Sequence, residues 1–500
     1  MLIMLFPAPL CAQELNANVE TPTEHSQSQA QMTLKRAADA FGGTDALLAM
    51  GAIRVAAKGH SFARFQSPSA APPFKGALHE TDLLLDLRNR RLAFHYTDDQ
   101  GGVLRRNLTI IGSGEPRIYN LHARSVRPFP APPSFERELA AHSRRSPHLL
   151  IRHALANPLE LRSLDSATLA GRAHDVISFP MPDGVQVALF VDRASGLISK
   201  FDTLYSDILT GTEAAETLFE DYVGKGLGRY PRTVRLREAG HETLLTDLSV
   251  AIDPSSTDQS FAFDATGYLP VGPSQPNPER IEELGKGIHV LHSVSDPQHN
   301  ALAVEFENYV VVVDAPHSSE GGERLIKKVE SLVPGKPIRF VALTHHHDDH
   351  MSGLRSFIAS GATVITTPGN RGFIEAFAKA RHGDRLDAEP RPLRLEMVRN
   401  RKLVLSDGKR TLELIDVGPN PHAQEILIAY LPREKIVYQS DLFQIPSNEG
   451  PTGPAPSSFA AFAEAIDKLG LQIETIAAGH GRTATIKEFR ERMSFRHPPG

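Results

Sequence analysis

Cysteine is nearly missing from this 500-residue chain: Cys11 is its one thiol. Internal disulfides are therefore excluded, and no cysteine cluster can hold a metal. An excess of charge is missing too. Lys and Arg number 54 against 59 Asp and Glu, a formal net charge of −5. The basic footprint that accompanies nucleic-acid binding is thus absent. No apolar run reaches the length of a membrane-spanning helix. What is present, 41% hydrophobic and 23% charged residues, is the balance of a soluble globular protein. At this length two or three domains are expected.

Residues 1–12 combine an apolar run with the small-residue end Cys11-Ala12, the pattern of a secretory signal cleaved after Ala12, although no Lys or Arg precedes the run. Removal would leave a mature chain with no thiol. Export to a bacterial periplasm, or secretion, is the expected address. Residues 13–31 are rich in Gln, Ser, Thr and Glu with few apolar anchors and read as a polar linker.

Residues 32–267 predict a β-rich N-terminal domain. Residues 34–50 read as two short helices broken at Gly42-Gly43. Strand-like segments follow at 83–87, 92–96, 176–179 and 185–191, with turns at Asn89-Arg90 and at 193–196. One helix is expected near 134–155, with Arg144-Arg145 as a solvated break in it. The sum is a curved, mainly antiparallel sheet with a few helices. Its histidines, His60, His79, His95, His122, His142, His148, His153 and His174, show no ligand spacing. Such a sheet wrapped around a helix is either a ligand-enclosing shell or a packed core, and the sequence leaves both open.

Four prolines within residues 268–278 resist helix and sheet alike and place a linker at 268–284. From 285 to 500 strand-like and helix-like pieces alternate, an α/β arrangement of sheets covered by helices. Expected strands lie at 288–291, 301–306, 309–313, 338–343, 363–365, 412–415, 426–430, 436–438 and 475–477, and an expected helix at 324–333.

Polar residues recur just beyond these buried strands. Asp314 follows residues 310–313; Thr344-His345-His346-His347-Asp348-Asp349-His350 follows 338–343; His422 follows 412–415; Asp441 follows 435–439; and His480 follows 473–478. Each reaches a sheet edge from a different strand, which is how a rigid scaffold converges side chains on one point. Imidazoles and carboxylates gathered at a strand-to-helix junction suit a borderline metal such as zinc.

On these residues the chain resembles the metallo-β-lactamase fold superfamily of metallohydrolases over about 285–492. His345, His347, Asp349 and His350 match its His-x-His-x-Asp-His signature. Asp314 matches the early buried aspartate, His422 the third histidine, Asp441 the bridging aspartate and His480 the late histidine. The resemblance implies an αβ/βα sandwich and zinc, two ions per chain, with iron or manganese in some relatives. Two positions apart on an extended segment, His345 and His347 face one side; with His422 they would hold a first metal. Asp349, His350 and His480 would hold a second, and Asp441 would bridge the two. The implied nucleophile is a hydroxide shared by two cations about 3.5–4 Å apart, with Asp349 orienting it and moving a proton. Asp314 is expected to hold the histidine loop from behind. His346 and Asp348 are expected to point away, either to the surface or to support the ligands from behind.

Departures from the family's subgroups narrow the substrate. Asp441 stands where several true β-lactamases carry cysteine or serine, which disfavours antibiotic hydrolysis. Too few residues follow His480 for the glutathione-binding domain of glyoxalase II. The stretch after Asp441, Leu442-Phe443-Gln444, lacks the nearby tyrosine of many quorum-quenching lactonases, and Ser440 replaces the usual glycine. Transfer-RNA processing fits poorly with export. Residues 444–458 are expected at the pocket mouth and 381–394 as a solvated loop, while Phe459, Phe462, Ile466 and Leu469 are expected in the core of a helix. The leading expectation is a metal-dependent hydrolase of an ester, lactone, thioester or related small molecule. Two alternatives stand beside it: an iron-dependent sulfur or thiol dioxygenase on the same fold, and an envelope lipid-binding protein with an auxiliary metal domain.

Overall fold

A computed structural model describes residues 21–100, 103–112, 114–129, 134–272, 277–383, 385–387, 391–445 and 457–494. The expected signal and the first part of the expected linker lie outside these residues. The rest of that linker is corrected: Pro22–Ala40 is one helix. Its start is built by a capping box, in which Thr21 accepts from the Glu24 backbone and Glu24 reaches back to Thr21, and by Pro22 in the first turn. Ala30, Thr33, Leu34, Ala37 and Ala38 form its buried stripe. The polar composition of residues 22–29 reads as linker, yet from Ala30 onward small residues at helical spacing let the helix lie close on the sheet. The chain leaves it through Gly42 and Gly43, both at φ 100°, into a second helix, Thr44–Ala49.

The N-terminal domain is a 14-stranded sheet. Its long strands pair antiparallel, mostly with their neighbours in sequence, but Ala52–Phe62 lies between Gly76–Asp86 and the much later His241–Ile252. Ile53, Val55, Leu83 and Leu85 turn to one face, where Leu34, Phe41, Leu47, Leu150 and Ile151 from the helices cover them. Each such fully buried side chain contributes roughly 1.5–3 kcal/mol relative to exposure. The helix expected over 134–155 is two, Phe135–Ser143 and Pro147–Ala156, because Ser146 caps the second and Pro147 begins it. Arg145 in the break is not simply solvated. It lies 4.8 Å over the Phe94 ring and donates to His142 Nδ1.

The expected 268–284 linker is shorter at both ends. Leu269–Pro270 pairs with Ser125–Pro128 in the first sheet, and Arg280–Gly285 pairs with Ile288–His292 in the next. Beyond it a seven-stranded sheet (280–397) and a six-stranded sheet (402–485) face each other. Val290, Leu302, Val304, Val311 and Val313 of the first meet Leu412, Leu414, Leu427, Tyr438 and Ala477 of the second. Helices Ser319–Leu332, Leu354–Ser360 and Arg371–Lys379 cover one outer face. Ser457–Leu469 and Ile486–Ser494 cover the other. Strand Val310–Val313 is buried throughout, as a strand covered on both faces must be. Phe459, Phe462 and Ile466 are core, whereas Leu469 is 46% exposed at the helix end. Most of the 444–458 segment lies outside the described residues. In 381–394, Asp387 is tied down by Arg355 and by the backbone of His382 and Gly383, so this part of the loop is anchored rather than free.

Candidate metal centre

Strand Ile338–Ala342 ends at the sheet rim, and the chain turns through His345 and His347 into the short helix Asp348–Met351. Strands Thr411–Asp416, Ile436–Gln439 and Thr475–Ala478 bring His422, Asp441 and His480 to the same rim. Two groups of ligand-type atoms form there, each lying within 4.8 Å: His345, His347, His422 and Asp441, then Asp349, His350, His480 and Asp441. Asp441 belongs to both. His345 Nε2 and His422 Nε2 are 3.1 Å apart, as are His350 Nε2 and His480 Nε2.

The outer atoms of these rings decide what the inner atoms offer. His345 Nδ1 lies 3.1 Å from Thr344 Oγ1 and 3.3 Å from Ser440 Oγ. Thr344 in turn donates to Asp314 Oδ1, so its lone pairs are left to accept from the ring. His350 Nδ1 faces Asp314 Oδ2, and His480 Nδ1 faces the Gln298 carbonyl. A proton held on Nδ1 leaves the His345 Nε2 lone pair aimed inward. The Nε2 atoms of His350 and His480 would offer theirs once a cation displaces the proton that the carboxylates hold there. His347 is reversed: its Nε2 faces the Ser67 carbonyl at 3.0 Å. Its buried Nδ1 finds no hydrogen-bond partner among the described residues.

That orphaned nitrogen is a test of fit for a cation, and Asp441 supplies another. Its Oδ2 lies 2.8 Å from His350 Nε2, yet among the described residues no correctly directed donor meets it. Buried lone pairs and an anionic oxygen without donors are costly unless a cation satisfies them. The donor set, imidazole and carboxylate with no sulfur, fits zinc and also admits iron or manganese.

Titration of the cluster follows from the same geometry. Burial by itself would raise the Asp441 carboxyl, but His350, His480 and His422 hold it well below the usual range. Burial lowers His345 and His347 far below an ordinary histidine, with neighbouring imidazoles adding to the shift. His350 goes the other way because Asp441 and Asp349 outweigh its burial. His480, under the same opposition of burial and carboxylates, is raised to about 9. Asp349 is lowered despite burial by His350, His299 and His480.

Asp314 lies behind the loop, as expected. Its Oδ1 accepts from the Thr344 backbone and hydroxyl, and its Oδ2 from the Tyr438 hydroxyl. Beneath His480, Gly479 is required by space: a Cβ there would lie 3.0 Å from Ser440 Cα and 3.1 Å from His350 Cε1. His346 and Asp348 lie outside both ligand groups and face the N-terminal domain, His346 toward the Ser67 carbonyl and Asp348 toward the Gln66 amide.

Sequence reasoning also missed several participants. Asn300 donates to the Ala478 and Gly481 carbonyls and so shapes the loop of His480. His299, held at Nδ1 by Asp296, stands 3.4 Å from Asp349 Oδ2. The Asp-Pro-Gln-His turn at 296–299 was a legible signal; Gln66 and Ser67 left none, being nearly 300 residues away in another domain.

Comparison with known proteins agrees with the geometry. The model of the metallo-beta-lactamase superfamily matches residues 294–480. Among solved structures, the DIM-1 metallo-beta-lactamase is 19% identical, with 43% of this chain and 96% of that one covered and a TM-score of 0.34. The FIM-1 enzyme from Pseudomonas aeruginosa, in its mono-zinc form, is 19% identical over 44% and 95%, TM-score 0.34. A metallo-beta-lactamase from Pontibacter korlensis is 17% identical over 43% and 98%, TM-score 0.34. No curated protein matches the chain. Behind its antiparallel N-terminal sheet, then, the chain carries in residues 294–480 a domain of the metallo-beta-lactamase superfamily.

Proposed function

We propose that this protein is a metal-dependent hydrolase of a small ester, lactone, thioester or related substrate. The observation that carries the reading is the sharing of Asp441 between two complete ligand groups. His345, His347 and His422 would hold one divalent cation; Asp349, His350 and His480 would hold a second; zinc is the favoured metal. When bound, such a pair lowers the proton affinity of water and polarises the oxygen of a scissile bond.

The chain's own residues do the rest. Asp441 supplies the negative charge that the two sites share. Asp349 keeps Oδ2 toward His350 and His480 and is placed to take a proton from water and pass it to the leaving group. His299, 3.4 Å from its Oδ2, steadies that carboxylate. Asp314, through Thr344 and His350, keeps the histidine loop from turning. An exported, periplasmic setting remains part of the proposal, motivated by residues 1–12.

Elemental analysis of freshly purified protein, followed by ester, lactone, thioester, phosphodiester and β-lactam substrates, tests the reading. About two zinc ions per chain and hydrolysis abolished by His345→Ala are expected. Protein that neither retains nor takes up metal would refute it; a single iron with oxygen consumed in turnover would favour the dioxygenase instead.

A further inference from the structure

The metal centre has a wall that does not come from its own domain. Between strands Ala52–Phe62 and Gly76–Asp86, residues 63–75 leave the N-terminal sheet and lie against the histidine loop. The Ser67 carbonyl receives both His346 Nε2 at 2.9 Å and His347 Nε2 at 3.0 Å. A carbonyl only accepts, so each ring must carry its proton on Nε2. For His347 that leaves the Nδ1 lone pair free, and this is the buried atom with no partner among the described residues. The Gln66 amide donates to Asp348 Oδ1 at 2.7 Å and to Asp349 Oδ1 at 2.8 Å. With Oδ1 engaged there, Asp349 turns Oδ2 toward His350 and His480.

The segment is clamped on every side. Arg64 makes a buried ion pair with Asp207 in the same sheet and lies 4.7 Å over the Phe65 ring. Phe65 meets Phe373 edge-on in the core of the second domain, and its carbonyl accepts from the Asp348 backbone. Pro68 restricts Ser67 to extended backbone, and its own carbonyl accepts from Gln424, two residues beyond His422. One short segment thus touches the loops that bear His347, Asp349 and His422.

We infer that residues 64–68 of the N-terminal domain are positioning elements of the metal centre, with the Ser67 carbonyl fixing the ligand nitrogen of His347 and the Gln66 amide fixing the ligand oxygen of Asp349. The two domains then form one catalytic unit, and the β-rich domain serves the site directly. The inference rests on the metal-centre reading above.

The test uses the full-length chain, stripped of metal and titrated with Co²⁺ against a competing chelator while its visible absorption is followed. Gln66→Met keeps the length of the side chain and removes its donors. It is expected to weaken the Asp349–His350–His480 site about 10–100-fold, the usual effect of losing a hydrogen bond to a metal ligand, and to leave the other site alone. Pro68→Gly frees the Ser67 carbonyl and is expected to weaken the His345–His347–His422 site and alter its cobalt spectrum. Gln66→Lys, which restores a donor, is expected to recover part of the loss. Wild-type affinities and spectra in both variants would overturn the inference while leaving the metal reading intact. So would a loss of affinity matched by an equal fall in the melting temperature of the metal-free protein. A wild-type chain that takes up no cobalt would overturn both.

Discussion

Four imidazole nitrogens, from His345, His350, His422 and His480, lie within 3.3 Å of the Asp441 carboxylate. Without a cation that carboxylate is what keeps His480 protonated. His480 sits at about 9, above the ordinary 6.5 of an unfolded chain. Between these values the folded state binds a proton that the unfolded state does not. Its contribution to stability is therefore complete below about 6.5 and lost as pH rises through about 9. Calorimetry of the metal-free protein is expected to show a melting temperature that falls across this window. Metal uptake at the same site is expected to tighten over it, because the departing proton competes less. Asp441→Asn removes the charge behind both trends; it is expected to flatten the window and to cut metal affinity by more than about 100-fold, beyond the loss of a supporting hydrogen bond. Metal content per chain, measured after dialysis, checks the second expectation. At this scale the sequence was most readable. His345, His347, Asp349, His350, His422, Asp441 and His480 all reach one rim, each placed by a short strand whose end the apolar pattern marked.

Elements were readable where pattern and neighbours agree. The all-valine strand Val310–Val313 could only be buried, and the break at Gly42-Gly43 could only end a helix. The first half of helix Pro22–Ala40 was hidden because residues 22–29 are polar and none of them is buried; the buried stripe begins only at Ala30. The segment 63–75 was hidden for another reason: turn-forming serines and prolines look alike whether they face water or a partner domain. Its anchor is measurable. Arg64 and Asp207 are both almost wholly buried, and Asp207 also accepts from the backbone of Leu209 and Thr210 and from Tyr205. Burial works to raise the Asp207 carboxyl, but these donors and Arg64 keep it below its usual range. Arg64→Ala leaves the charge buried and unpaired, and is expected to cost about 3–5 kcal/mol. Chemical denaturation followed by circular dichroism checks this. Gly479→Ala, by contrast, is expected to cost about 1–3 kcal/mol through overpacking against Ser440 and His350, with a matching fall in metal retention.

For the whole molecule, acid is the sharper threat to the N-terminal domain. His142 and His148 sit in the helices that cover its sheet, and burial depresses them to about 3 and about 4. Arg145 lowers His142 further, while the Leu227 carbonyl partly offsets the shift of His148. Both are neutral when folded, so the stability they contribute is complete above about 6.5 and is lost as pH falls toward those values. Circular dichroism, needed because the chain has no tryptophan, is expected to show this domain losing structure below pH 6.5. His142→Phe is expected to shift that loss to lower pH, since a neutral ring beside Phe94 keeps the packing and removes the titration.

By itself the sequence determined the fold of the second domain, the β character of the first, and which side chains meet at the rim. Strand length, apolar runs and residue type are local properties, and for these features local properties suffice. Only the tertiary structure decided which nitrogen of each histidine faces inward, that His346 and Asp348 turn toward the first domain, and that residues 64–68 close the site. Those outcomes depend on contacts between residues up to 283 positions apart. Sequence spacing carries no record of such contacts; the meeting of residues 65–68 with the histidine loop of the second domain creates them.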